Sequence, residues 1–180
     1  METTVRIFGD LLRINNDRNN AYKKAVEAIS DIHLKSMFQS FLDETEAHIR
    51  EISKVIVKHG GEPTNNGTAA GAFHQAWINL KHAIGKGNKK NIIDSCKASD
   101  KSTLSEYNHA IELFENKGLK APALICKAHY CRIEDDIKML DTLTISSDNP
   151  NTAENETLDL QKIIECHDKN INVDEIIAKM

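Results

Sequence analysis

The sequence predicts an all-α fold, a bundle of four long helices with a short helix between the second and the third. Three observations carry this expectation. Apolar residues recur at spacings of three and four along five stretches of the chain, the period of a helix with one buried face. The stretches are separated by helix-ending signals, "GGEP", "GKGN" and "NKG" among them. Only three prolines and eight glycines are present, too few for the many turns of a β-sandwich.

The first helix is expected over residues 4–29, with Phe8, Leu11, Leu12, Asn15, Tyr22, Val26 and Ile29 on one face. Ser30-Asp31 offers a stop and a new N-cap. A second helix follows over 32–59 through Leu34, Phe38, Phe41, Thr45, His48, Ile52 and Val55, and ends at Gly60 with Pro63 shortly after. Thr68 would cap a short helix over 69–84 that carries Phe73, Trp77, Leu80 and Ile84 on one side. The next long helix covers 89–115, with Ile92, Ile93, Cys96, Asp100, Thr103, Tyr107, Ala110 and Phe114 inward. The last spans 121–144 through Ile125, His129, Ile133, Ile137 and Leu140, with Pro122 in its first turn.

The connections at 30–31 and 116–120 are tight, so the long helices pair as two antiparallel hairpins. A short crossover helix between the hairpins can carry the chain from one end of the bundle to the other, since 16 residues rise about 24 Å. That is the ferritin-like arrangement of a four-helix bundle. The expected organisation is therefore a bundle over 1–145, a polar linker over 146–157 ("SSDNPNTAENET"), and a short amphipathic helical extension over 158–180. Leu160, Ile163 and Ile164, then Val173, Ile176 and Ile177, give faces too small to fold alone, so the extension should dock on the bundle, a second copy or a partner.

A composition of 40% hydrophobic and 28% charged residues is ordinary for a globular protein, and a net charge of −4 argues against a nucleic-acid footprint. No basic segment runs into an apolar one at the N-terminus, and no run of about eighteen apolar residues occurs, so neither a secretory signal nor a membrane span is expected. The four cysteines, Cys96, Cys126, Cys131 and Cys166, include no C-x-x-C pair; reduced thiols and a cytoplasmic location are the expectation.

Three segments resemble a known family: "LLRINNDRNNAYKKA", "HGGEPTNNGTAAGAFHQAWINLK" and "NIIDSCKASDKSTLSEYNHAI". Over residues 4–142 the chain is similar to a bacterial ferritin-like group known as domain of unknown function 2383, on the strength of its Gly-Glu-Pro, Gly-Thr and His-x-x-Trp-x-x-Leu-Lys elements. The resemblance implies a four-helix bundle of bacterial origin and brings no established reaction.

A di-iron bundle needs Glu from two helices and Glu-x-x-His from the other two, all pointing inward. The first helix has no glutamate between Glu2 and Glu27, and Asp10 and Asp17 lie off its apolar face. The single Glu-x-x-His, Glu106 to His109, turns outward; its histidine sits about 140° from the apolar face. A reduced metal site remains, formed by Glu44, His48, Asp100 and His129 near the mid-height of their helices, where one iron, manganese or zinc ion could be held. The alternative is a satisfied polar layer, in which His48 and Asp100 bond to each other or to Asn15, Arg18, Asn19 and Tyr107. "GKGNKK" lacks the Gly-Lys-Ser/Thr ending of a phosphate loop, His74 and His82 lie off the packed side of the short helix, and Cys166-His167 diverge on a helix. No catalytic residues and no cofactor are expected. The reading that follows is a non-enzymatic bundle acting by self-association, as a homo-oligomer, or through a protein partner bound by residues 158–180. The alternative is a metal-binding, redox or metal-handling protein.

Overall fold

The computed structural model describes residues 2–67, 82, 89–148 and 171–180. All regular structure among them is helical: α1 (Glu2–Ala28), α2 (Ile32–Lys58), α3 (Lys89–Asn116), α4 (Lys120–Asp148) and α5 (Val173–Lys179). The short helix expected over 69–84, with Phe73 and Trp77, lies outside the described residues except for His82, as does most of the linker. The last long helix continues to Asp148, three residues into the expected linker. Ser146 and Ser147 are only mildly unfavourable in a helix and do not stop it.

Local chemistry sets the helix ends. Asp31 caps α2, its Oδ1 accepting from the backbone N–H groups of His33 at 3.1 Å and Leu34 at 3.0 Å. Past the end of α2, Gly60 takes φ +77°, and its N–H closes the last turn on the Val57 carbonyl. Gly61 must stay small, because a Cβ there would lie 2.6 Å from a Val5 methyl and 2.9 Å from one of Ile56. Gly118, with φ +68°, ends α3 in the same way as Gly60 ends α2, and Pro122 falls in the first turn of α4.

α1 packs along α2 and α3 along α4 as two antiparallel hairpins, joined mainly through α1 against α3. α2 and α4 approach each other less closely, and α5 touches both. Cross-helix contacts give the directions. Phe8 meets Phe114 (ring centroids 5.2 Å apart), Asn15 bonds Tyr107 and Arg18 bonds Asp100, so α1 and α3 are antiparallel. α2 and α3 therefore run the same way, and Lys89 at the start of α3 reaches Asp31, the cap of α2, at 2.6 Å. The end of α2 and the start of α3 therefore lie at opposite ends of the bundle.

The interior has two apolar ends. One gathers Phe8, Leu12, Ile52, Val55, Phe114 and Ile125, with Val173 and Ile177 of α5. The other gathers Tyr22, Phe38, Phe41, Ile92, Cys96 and Leu140. Between them lies a buried polar layer, Asn15, Arg18, Thr45, His48, Asp100, Thr103, His129 and Asp136, each at most 3% exposed.

Candidate functional site

The polar layer is built around Arg18. Its guanidinium is wholly buried and reaches three helices: Nε donates to Asp100 Oδ1 at 2.8 Å, Nη1 to Thr45 Oγ1 at 2.7 Å and Nη2 to Asp136 Oδ2 at 2.5 Å. Tyr22, one turn along α1, donates its hydroxyl to Asp100 Oδ2 at 2.6 Å. Burial works against the arginine's charge, yet Asp100 and Asp136 outweigh it and hold the guanidinium above its ordinary value. A planar fork with five donors suits this position, since it can serve two carboxylates and a hydroxyl at once.

Three carboxyl groups surround that one cation, because Glu44 Oε1 also lies 3.9 Å from Arg18 Nη1. Asp100 and Asp136 are buried and Glu44 is partly exposed with Arg132 as a second nearby cation, so the excess of negative charge falls on the Glu44–Asp136 pair and favours a retained proton there. Burial first, and then the neighbouring Glu44 and Asp100, push Asp136 up to about 8 against the pull of Arg18. Glu44 is raised as well, chiefly by burial, and bonds to Asp136 through its side chain. No N–H or O–H donor reaches the buried Glu44 Oε1 unless one of these two carboxyls carries a proton. The pair is best described as sharing one.

A second strand of the layer runs from Asn15 to Glu51. Asn15 Nδ2 donates to Tyr107 Oη at 2.8 Å, and Tyr107 Oη lies 3.1 Å from His129 Nδ1. His129 Nε2 lies 2.6 Å from Glu51 Oε2, at the edge of the bundle. With the imidazole neutral and protonated on Nε2, every bond in this chain has a donor and an acceptor. Burial lowers His129 below its ordinary value, opposed by Glu51. His48 stacks on it with ring centroids 4.0 Å apart. Neither ring nitrogen of His48 has a hydrogen-bond partner, and burial, then the charges of His129, Arg18 and Arg132, depress its pKa.

The four candidate metal ligands therefore fall in one layer but not around one point. Asp100 is taken by Arg18 and Tyr22, and His129 by Glu51 and Tyr107. Glu44 pairs with Asp136, and only His48 keeps unbonded nitrogens. Among the described residues no three His, Cys, Asp or Glu side chains group as a metal ion would need. A structural or catalytic ion takes at least three protein ligands in most zinc sites, and this arrangement does not supply them as it stands. His48 and Asp100 do not bond to each other, whereas Arg18 bonds Asp100 and Asn15 bonds Tyr107; the layer is satisfied only in part, since Asn15 Oδ1 has no hydrogen-bond partner among the described residues.

Two members of the layer escape a sequence reading. Glu51 lies three residues after His48, and Asp136 seven after His129, spacings that share a helix face. Glu106 and His109 line a small cleft of about 70 Å³ between α1 and α3, away from the layer. His82 is exposed.

The cysteines need one correction. Cys96 and Cys126 are buried and free, with thiols that burial pushes far above their ordinary value. Cys131 is disulfide-bonded rather than reduced, with its other half outside the described residues. It is the only described cysteine that is not buried, so it alone is open to a partner. A disulfide removes the reduced-thiol argument for a cytoplasmic location. No helix among the described residues is long and apolar enough to cross a membrane.

No curated protein and no solved structure matches this chain. A family model does match it, over residues 3–113, which takes in α1, α2 and most of α3 and with them Arg18, Glu44, His48 and Asp100. The chain belongs to the family described as a domain of unknown function, DUF2383.

Proposed function

We propose that this protein is a non-enzymatic, ferritin-like bundle that acts through its surface, by self-association or by binding a protein partner. One observation carries the reading. The place where an ion would compensate buried carboxylates is filled by the chain's own cation, Arg18, bonded to Asp100, Asp136 and Thr45. A guanidinium fixed in this way offers neither an open coordination position nor a nucleophile, and the remaining acids hold a proton between them. The parallel course of α2 and α3 supports the ferritin-like description, since it puts the end of α2 and the start of α3 at opposite ends of the bundle. Light scattering across a hundredfold concentration range, together with affinity capture, tests the reading. A strict monomer that captures no protein would overturn it.

A second reading is favoured by His48, fully buried with both ring nitrogens unbonded, one helical turn from Glu44. In that reading Glu44 and His48, with Asp100 or His129 released from their present bonds, hold one iron, manganese or zinc ion. Elemental analysis of protein purified without chelator, beside His48→Ala, decides between the two. One equivalent of metal in the wild type, lost in the variant, would establish the second reading and sink the first; substoichiometric metal in both would end it.

A further inference from the structure

Residues 171–180 dock on the chain's own bundle. Asn172 caps α5 by accepting from the Glu175 N–H at 3.2 Å, and Val173 and Ile177, one turn apart, are 3% and 7% exposed in the apolar end formed by α2, α3 and α4. Ile171, Ile176 and Met180 pack around them. Two lysines of α2 hold the polar ends of this helix. Lys54 Nζ meets Asp174 at 2.7 Å near its start, and Lys58 Nζ donates to the carbonyls of Ile177 at 2.5 Å and Ala178 at 2.9 Å at its end. The seat thus selects apolar residues at i and i+4, an acid in the first turn, and free carbonyls in the last. The two lysines also fix direction, because α5 must run parallel to α2 to satisfy both.

This occupant is held lightly. It has seven helical residues, where an isolated helix needs about 12–15 to persist, so it forms only while docked. Only two of its side chains are fully buried, with Ile171, Ile176 and Met180 partly so, and the Lys54–Asp174 pair is 54% and 63% exposed, a geometry that contributes little and weakens in salt. α5 touches both α2 and α4, which approach each other less closely than the helices within each hairpin do, so it sits along the seam between the two hairpins.

We infer that this seat between α2 and α4 is a docking site for a short amphipathic helix of a partner protein, with α5 as the resident occupant which that helix displaces. The inference rests on the partner-binding reading and deepens it: α5 displays the chemistry that the partner must carry, Val or Ile at i and i+4 and Asp or Glu in the first turn. A longer helix with the same anchors would exceed α5 in contact area and in helical stability, and so overcome the advantage that tethering gives the resident segment.

The probe is a fluorescent peptide with the sequence of residues 171–180, titrated against two full-length proteins by anisotropy. Wild type keeps its own helix in the seat. Ile177→Asp removes the larger of the two buried anchors and vacates it. Ile177→Asp is expected to bind the peptide at least tenfold more tightly than wild type, and Lys58→Met added to it should weaken binding again by several-fold. Equal binding by wild type and Ile177→Asp, or no binding to either, overturns the inference. Val173→Ser, a milder vacating change, accompanies it; if both variants lose the cooperative helical melt, α5 is part of the core and no displaceable occupant. Light scattering on wild type is indifferent to all of these outcomes, so self-association through another surface would survive their failure.

Discussion

Replacing Asp136 by asparagine should flatten the pH dependence of stability between pH 6.5 and 8. Asparagine copies the protonated acid: its Oδ1 can accept from Arg18 Nη2, and its Nδ2 can donate to Glu44. Asp136 stands at about 8 in the folded protein against 3.8 for the ordinary side chain. A raised acid binds more protons folded than unfolded. Its contribution is fully present below 3.8 and is lost as pH rises through 8. Each unit within that range is worth at most about 1.4 kcal/mol. His48 and His129 shift the other way, and their contribution is complete above about 6.5. From pH 6.5 to 8 the carboxyl pair therefore dominates the slope, and wild type should lose up to about 2 kcal/mol. Polar neighbours reduce this, so a loss of about 1 kcal/mol is the working expectation. Asp136→Asn should lose almost none and should be the more stable protein at pH 8. Urea unfolding at four pH values measures both slopes. Parallel slopes for the two proteins would refute the shared proton. So would a variant weaker by more than about 2 kcal/mol at every pH, which would mean that Asp136 is an ionised partner of Arg18.

Other residues of the layer give further expectations. Arg18→Met should cost about 3–5 kcal/mol in urea unfolding, because Asp100 would be left buried without its cation; a loss below about 1 kcal/mol would show the layer to be dispensable. His48→Phe keeps the stack on His129 and breaks no hydrogen bond, so stability at pH 7.5 should change by less than about 1.5 kcal/mol. Because the His48 pKa is depressed, wild type loses stability as pH falls below about 6.5, and the variant should lose less over pH 6.5 to 5; equal losses would count against this placement of His48. Tyr107→Phe removes the bond to His129 Nδ1 and should cost about 1–2 kcal/mol. Imidazole nitrogen shifts in the same variant should show His129 still protonated on Nε2 through Glu51, and a change of tautomer would contradict the assigned chain of donors.

The helices were legible because each signal was local and redundant. Asp31, Gly60, Gly118 and Pro122 stand where end chemistry requires them, and the inward faces follow the three-and-four spacing. The layer was legible only as a set of inward polar positions. Asp100, His48 and His129 lie on those faces, but which of them touch depends on rotation and axial offset between helices, which periodicity does not carry. Arg18 changes the meaning of the whole set, since a cation at the centre turns candidate ligands into its partners. Asp136 sits between Ile133 and Ile137 and was hidden by them. Its pairing with Glu44 crosses from α4 to α2, in the other hairpin, and no spacing within one helix could reveal it. Cys131 lies five residues after the buried Cys126, about 140° round the helix, so spacing accounts for its exposure but not for its disulfide.

The course of α2 and α3 bears on how the molecule comes together. Each hairpin is made of contacts between neighbours in sequence, the kind that form fast. Arg18 and Thr45 belong to the first hairpin, while Asp100 and Asp136 belong to the second. The first half offers Arg18 only the partly exposed Glu44 at 3.9 Å, and the second buries two carboxyl groups, so the polar layer works as a lock whose key is the other half, and a slipped or reversed docking would separate Arg18 from both aspartates. The molecule is thus laid out as two complementary pieces, with α5, carried by the second, latched onto α2 of the first. Cut within the chain that joins them and mixed, the two pieces should find each other again and rebuild the layer.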